Sequence, residues 1–314
     1  MKVALCFIIN YDHILNKEAI WREWIEYNKD IINVYFFYKD ISKIKSEWIR
    51  KHAIPYKYIC QTSYYHIIPA YISLMNYALS HDKSNQWFCF LTDSCCPIIS
   101  PTRFRYLFYK YHNKSILNWK EAWWNVTMHK RANLALLPKK IWLANDPYFI
   151  LKRENVIQCL QFVNQEKKIA KLICDGGLAN ESLFAIVLYN FNQLNKVIRS
   201  ATHIVDWSRM MSATSPYLFT EATDRNTTFI EKTLKENNHV MFIRKISPNF
   251  PDSILKKYIY EHSKMQDDKL AFQCPFVINM IKYIIISCTL FIPLAMIYFI
   301  IFFTPLHNFY INLL

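Results

Sequence analysis

The residues of this chain that can do chemistry gather in a few short stretches. "KLICDGGLANESLF", residues 171–184, holds both glycines of a 314-residue chain, Gly176 and Gly177, and four residues past the second glycine comes Glu181. A positioned carboxylate can take the proton from a hydroxyl. Adjacent glycines allow a sharp backbone turn and leave room for a ligand beside that carboxylate. On the residues alone, the plainer account of Glu181 is a glutamate in the first turn of a helix, stabilised by the helix dipole. A second group is basic: Arg244–Lys245 in "HVMFIRKISPNF", with Arg199 just ahead of "THIVDWSR". Fixed cations suit a ligand that gains negative charge; the ordinary alternative is solvated surface charge. Asp206 and Trp207 fall inside "THIVDWSR", and Trp119, Trp123 and Trp124 inside "LNWKEAWW". Exposed indoles stack on sugar faces, although large aromatics more often fill cores.

Several chemistries are excluded. Two glycines cannot build a dinucleotide fingerprint or a P-loop. The nine cysteines contain no C-x-x-C pair, and Cys95–Cys96 has no neighbouring histidine, so a zinc site or a thiol nucleophile is not expected. Buried free thiols are the simpler reading. The net charge of +14 calls for an anionic partner, a phosphorylated ligand or a membrane face. The charge is spread along the chain without a basic arm or nucleic-acid motif, so nucleic acid is not expected.

These residues need elements to hold them. Apolar content is 53% and aromatic content 17%, enough for a large core. "VALCFIIN" and "INVYFFYKD" read as buried strands. "KEAIWREWIEYN" reads as a helix with Ile20, Trp24 and Tyr27 on one face, and "PAYISLMNYALSHD" as another with Ile72, Met75 and Leu79 in phase. "QWFCFLTDSCCPI" is a strand entering a polar turn, followed by the helix "TRFRYLFYKYH". A strand and a helix starting near Arg153, a turn and helix around Glu181, and two late strands complete the alternation. It predicts an α/β fold with a mainly parallel central sheet. Ligands in such sheets collect at the strands' carboxyl ends, which here carry Asn10, Asp12, Lys39, Asp40, Thr92, Asp93 and Ser94.

The C-terminal region differs in kind. From Tyr283 to Leu306 the chain runs 24 residues without a charge, long enough to cross a bilayer as one helix. Lysines lie on its N-terminal side, and the positive-inside rule puts the large domain on the cytoplasmic side. The expected organisation is a globular domain over 1–252, a charged linker over 253–280 and a transmembrane anchor over 281–306. The short apolar N-terminus reads as a first strand rather than a signal peptide.

Ordered blocks from about residue 3 to about residue 250 resemble the core-2/I-branching β-1,6-N-acetylglucosaminyltransferase family and its plant relatives. "ALCFIINYDHILNKEAIWREWI" is similar to the family's opening strand and helix. "FCFLTDSCCPI" resembles its Leu-Ser-Glu-Ser-Cys-Ile-Pro block, with Asp93 where plant relatives have glutamate. "DPYFILKRENV" resembles a strand–helix block with a Ser-Arg or Asn-Arg pair, here Lys152–Arg153. "CDGGLANESLF" resembles the Pro-Asp-Glu segment, "THIVDWSR" the plant Val-Asp-Trp-Ser, and "HVMFIRKISPNF" the plant Phe-Ala-Arg-Lys-Phe-Ser.

The resemblance implies a GT-A-like glycosyltransferase fold and an inverting transfer of GlcNAc or a related sugar from a UDP-sugar to a sugar hydroxyl. It places the catalytic base at Glu181, with Asn180 where aspartate is usual. Basic residues replace a metal at the diphosphate: Lys245 beside Arg244, with Arg199 nearest to the second position. Asp40 matches a carboxylate that contacts uridine, and Asp93, Gly176, Gly177, Asp206 and Trp207 shape the pocket. No metal or other cofactor is expected, and the chain has no Asp-x-Asp. The alternative is a non-catalytic sugar-binding or membrane scaffold on the same fold. Cellular members of the family carry an N-terminal anchor and a lumenal domain, whereas the expected anchor here is C-terminal. Of four N-x-S/T sequons, at Asn113, Asn125, Asn180 and Asn226, a glycan on Asn180 would crowd Glu181, which favours the cytosol.

Overall fold

The structure is a computed structural model that describes residues 1–261. Its first half runs β1 (Lys2–Ile8), α1 (Glu18–Glu26), β2 (Ile32–Phe37), α2 (Glu47–Lys51), α3 (Ile68–His81), β3 (Asn85–Thr92), β4 (Cys96–Pro97) and α4 (Pro101–Tyr111). Next come β5 (Trp119–Glu121), β6 (Leu143–Asn145), β7 (Ile150–Lys152), α5 (Arg153–Gln165), α6 (Lys167–Asp175) and α7 (Leu183–Asn190). The chain then forms β8 (His203–Ile204), α8 (Asp224–Glu236), β9 (Phe242–Ile243) and α9 (Asp252–Lys256).

The central sheet has the order β2-β1-β3-β7. β1 pairs in parallel with both β2 and β3, and β7 closes the edge antiparallel to β3. From Val3 to Ile8 β1 is apolar because both of its faces are covered. Val3, Leu5 and Phe7 pack in one core with Trp21, Trp24 and Phe104; Ala4, Cys6 and Ile8 pack in the other with Tyr71, Leu74, Met75 and Phe184. The period-2 alternation of a strand sorts the side chains. Two indole N–H groups fasten α1: Trp21 Nε1 donates to the Cys95 carbonyl and Trp24 Nε1 to the Ile99 carbonyl, each at 2.9 Å. A smaller sheet, β4-β9-β8, and the ribbon β5-β6 are built beyond the central sheet.

The α/β architecture with a mainly parallel sheet matches the expectation, with local differences. The buried face of α1 is Ile20, Trp21 and Trp24, while Tyr27 lies past the helix end and is exposed. α3 buries Tyr71, Leu74, Met75 and Ala78, leaving Ile72 and Leu79 half-buried. The apolar run before the glycines is helix α6. The expected linker does not start at residue 253: Leu255, Tyr258 and Ile259 are buried in the main core. Lys17 anchors this tail, its ammonium donating to the Pro248 carbonyl (2.7 Å), the Phe250 carbonyl (2.6 Å) and the Asp252 carboxylate (2.7 Å). Among the described residues no helix is long and apolar enough to cross a membrane; the segment 281–306 lies outside them. Seven cysteines are free thiols among the described residues, five of them buried.

Candidate active site

The three parallel strands end at one level, since Ile8 stands opposite Phe37 in β2 and Thr92 in β3. The loops leaving them form one wall. His13, with φ of 54°, is buried between two of these loops. Its Nε2 accepts the Asp40 amide N–H at 2.9 Å, so its proton is on Nδ1, which donates to the Tyr11 carbonyl at 2.6 Å. That contact orients Asp40, whose Oδ1 takes the Ser42 hydroxyl (2.7 Å) and amide (3.0 Å). These bonds hold the carboxyl below the usual aspartate range.

Arg244 and Lys245, directly after β9, form the second wall. The Arg244 guanidinium donates to Ser94 Oγ at 3.0 Å and to Thr92 Oγ1, and lies 4.4 Å over the Tyr148 ring. Its Nε is buried without a partner among the described residues. A buried donor left unsatisfied is costly unless a ligand or water completes it. Lys245 Nζ reaches Ser215 Oγ at 3.3 Å. Burial, together with the adjacent Arg244 charge, lowers the Lys245 pKa, and Asp93 works the other way. Asp93 is pushed above the usual aspartate range chiefly by burial, with Arg244 opposing. Asp93, Arg244 and Lys245 therefore share one electrostatic environment.

Glu181 lies in a 3₁₀ turn, Ala179–Glu181, ahead of α7 rather than inside a helix's first turn. Asn145, at the end of β6, fixes this turn: its Nδ2 donates to the Asn180 carbonyl at 2.9 Å and its Oδ1 accepts the Ala185 amide at 3.1 Å. Among the described residues the Glu181 carboxylate has one ion-pair partner, Arg131, at 3.3 Å. Burial raises its pKa, Arg131 lowers it, and Asp146 raises it further. The Asn180 side chain lies beside the Tyr71 hydroxyl, which donates to the Pro147 carbonyl at 2.9 Å, and its Oδ1 is buried without a partner among the described residues. An amide suits this buried position, where a carboxylate would place another negative charge beside Glu181 and Asp146. Buried Tyr71 and Tyr148 each interact electrostatically with both Glu181 and Arg244. The two rings are thus shared neighbours of the carboxylate and of the Arg244 guanidinium.

The glycines act differently from expectation. Neither has a positive φ; Leu178, at 57°, makes the turn. A Cβ on Gly176 would lie 2.3 Å from the Asn133 amide nitrogen and 2.6 Å from the Ala132 carbonyl carbon. Gly176 thus lets the 131–133 backbone dock against it, where Arg131 pairs with Gly177 in a bridge and the Ala132 amide donates to the Gly177 carbonyl at 2.9 Å. Gly176 thereby helps bring Arg131 to Glu181.

Residues 32–239, about two thirds of the chain, match the family model described as Core-2/I-Branching enzyme. The chain belongs to the core-2/I-branching enzyme family. It is a glycosyltransferase of the hexosaminyltransferase-like kind. No curated protein matches it.

Within this core-2/I-branching enzyme, the side chains of the remaining candidates make other contacts. Arg199 is exposed, its guanidinium 4.7 Å over the Trp119 ring; among the described residues it makes no hydrogen bond or ion pair with Arg244, Lys245 or Glu181. The buried Asp206 carboxylate is committed to its own loop through Ser208 Oγ (2.7 Å) and Arg209 Nε (2.6 Å). It organises structure rather than offering a free acceptor. Trp207 beside it is exposed. Trp124 is half-buried and Trp123 is exposed. Arg131, Asp146, Tyr71 and Tyr148 escaped the sequence reading. Only the Asp146–Tyr148 stretch, inside "LANDPYFIL", lay in a block with any signal; Arg131 had none.

Proposed function

We propose that this enzyme transfers GlcNAc or a related sugar from a UDP-sugar to a sugar hydroxyl with inversion. Glu181 acts as the base, and Arg244 and Lys245 face the UDP diphosphate. The observation that carries this reading is a recessed carboxylate paired with Arg131, whose buried neighbours Tyr71 and Tyr148 also feel the Arg244 guanidinium, which lies 4.4 Å over the Tyr148 ring. In the proposed step the acceptor oxygen attacks the anomeric carbon while its proton passes to Glu181. The anomeric C–O bond breaks, and its electron pair leaves on the diphosphate. Burial that raises the Glu181 pKa makes it a stronger base near neutral pH. The cations match charge that grows on the leaving group. Asp40, at the strand ends, keeps one carboxylate oxygen for a uridine contact. No metal takes part in this scheme.

We also propose that residues 281–306 anchor the enzyme to a membrane with the catalytic domain in the cytoplasm. The uncharged run and the lysines before it support this. The sequons at Asn180 and Asn226 fall on buried side chains, where an oligosaccharide transferase cannot reach the folded domain.

The test is UDP release from UDP-GlcNAc and other UDP-sugars, with and without glycoside acceptors. Glu181→Gln keeps shape but cannot serve as a base. It should lower kcat by roughly two to four orders of magnitude while UDP binding stays near wild type. Normal transfer by the glutamine variant would remove Glu181 from the role.

A further inference from the structure

The ribbon β5-β6 carries aromatic and basic groups that the reaction scheme leaves unused. Trp123 follows its first strand and is 56% exposed. A bare indole of this size on a surface marks an interaction site more readily than an isolated aliphatic residue does. Trp123 is held in place from two sides. Its ring meets Trp124 edge-on at 4.9 Å between centroids, and the Lys120 ammonium lies 4.0 Å over it. Trp124 in turn lies 5.2 Å under the Arg131 guanidinium, and Arg131 pairs with Glu181 at 3.3 Å. The returning strand ends at Asn145, which fixes the Glu181 turn, and is followed by Asp146, which electrostatically biases it. One rigid ribbon thus connects the exposed indole to the carboxylate.

We propose that Trp123, capped by Lys120 and joined through Trp124 to Arg131, is the platform on which the acceptor's pyranose ring lies, so that its hydroxyl is presented to Glu181. This rests on the reading of Glu181 as the base. The chemistry of the surface selects the ligand. A pyranose offers an apolar C–H face to an indole, and its hydroxyl rim accepts hydrogen bonds from ammonium and guanidinium groups, which are donors only.

The experiment compares the full-length protein with Trp123→Ala and Trp123→Phe, using methyl galactosides and methyl N-acetylhexosaminides as probes. Saturation-transfer NMR on the wild type should show contact with the sugar ring protons. Trp123→Ala should lose it and Trp123→Phe should keep part of it. In UDP-release assays the alanine variant should raise the acceptor KM about tenfold, the equivalent of ~1.4 kcal/mol of lost stacking. The donor KM should hold within about twofold of wild type. Equal saturation in wild type and alanine variant, or an unchanged acceptor KM, overturns the platform while leaving the catalytic reading in place. A wild type that contacts no probe overturns it as well. Saturation that depends on Trp123 in a protein that never releases UDP keeps the platform and overturns the transferase scheme.

Discussion

Glu181 is governed by opposing influences, and each can be removed separately. Burial and Asp146 raise its pKa, Arg131 lowers it, and Tyr71 and Tyr148 also lie within its field. A general base works ionised, so activity falls as pH drops through its pKa. Arg131→Gln withdraws the stabilising cation, so the acid limb of the kcat profile should move to higher pH, and Arg131→Lys should restore much of it. An unmoved limb in the glutamine variant would show that the ion pair does not set the base. On the donor side, Lys245→Ala should weaken UDP binding by about 1.5–3 kcal/mol, the scale of a charge-assisted hydrogen bond, read by calorimetry. Excess EDTA should leave that binding and UDP release intact. Loss of both on chelation, with recovery on adding manganese, would contradict the basic-residue scheme.

The elements around the site are fastened by backbone fit rather than by flexible glycine. Gly176 allows the 131–133 segment to lie against the end of α6, whereas a Cβ on Gly177 would meet only Tyr65 at an ordinary 3.8 Å. Gly176→Ala should therefore destabilise the protein by about 1–3 kcal/mol, the usual cost of overpacking, and displace Arg131. Gly177→Ala should melt near wild type. Thermal unfolding of the two variants decides this, and equal effects would mean that the pair serves the turn instead. The signal in the sequence was real, since both glycines stand beside Glu181. Their function was not legible, because the residues they accommodate lie over 40 positions earlier in the chain.

At the scale of the molecule, the described domain runs past the expected boundary at 252, because Lys17 and the core hold residues 252–259. A chain cut after Phe250 should lose stability or solubility, while one cut after Lys264 should fold and remain in the supernatant when membranes are pelleted. The full chain should sediment with them if 281–306 is an anchor. A full chain that stays soluble without detergent would remove the anchor from the account.

The sequence by itself determined the strand–helix alternation, both covered faces of the central sheet, the family, and the two segments that supply carboxylate and cations. Those properties are written in local periodicity and short motifs. Only the tertiary structure decided which charges act together. Arg131 reaches Glu181 across 50 positions and Arg244 reaches Ser94 across 150. Arg199 and Asp206, although close to the right motifs, are turned toward Trp119 and Arg209. Proximity of this kind depends on how loops pack at the ends of parallel strands, and no local spacing encodes it.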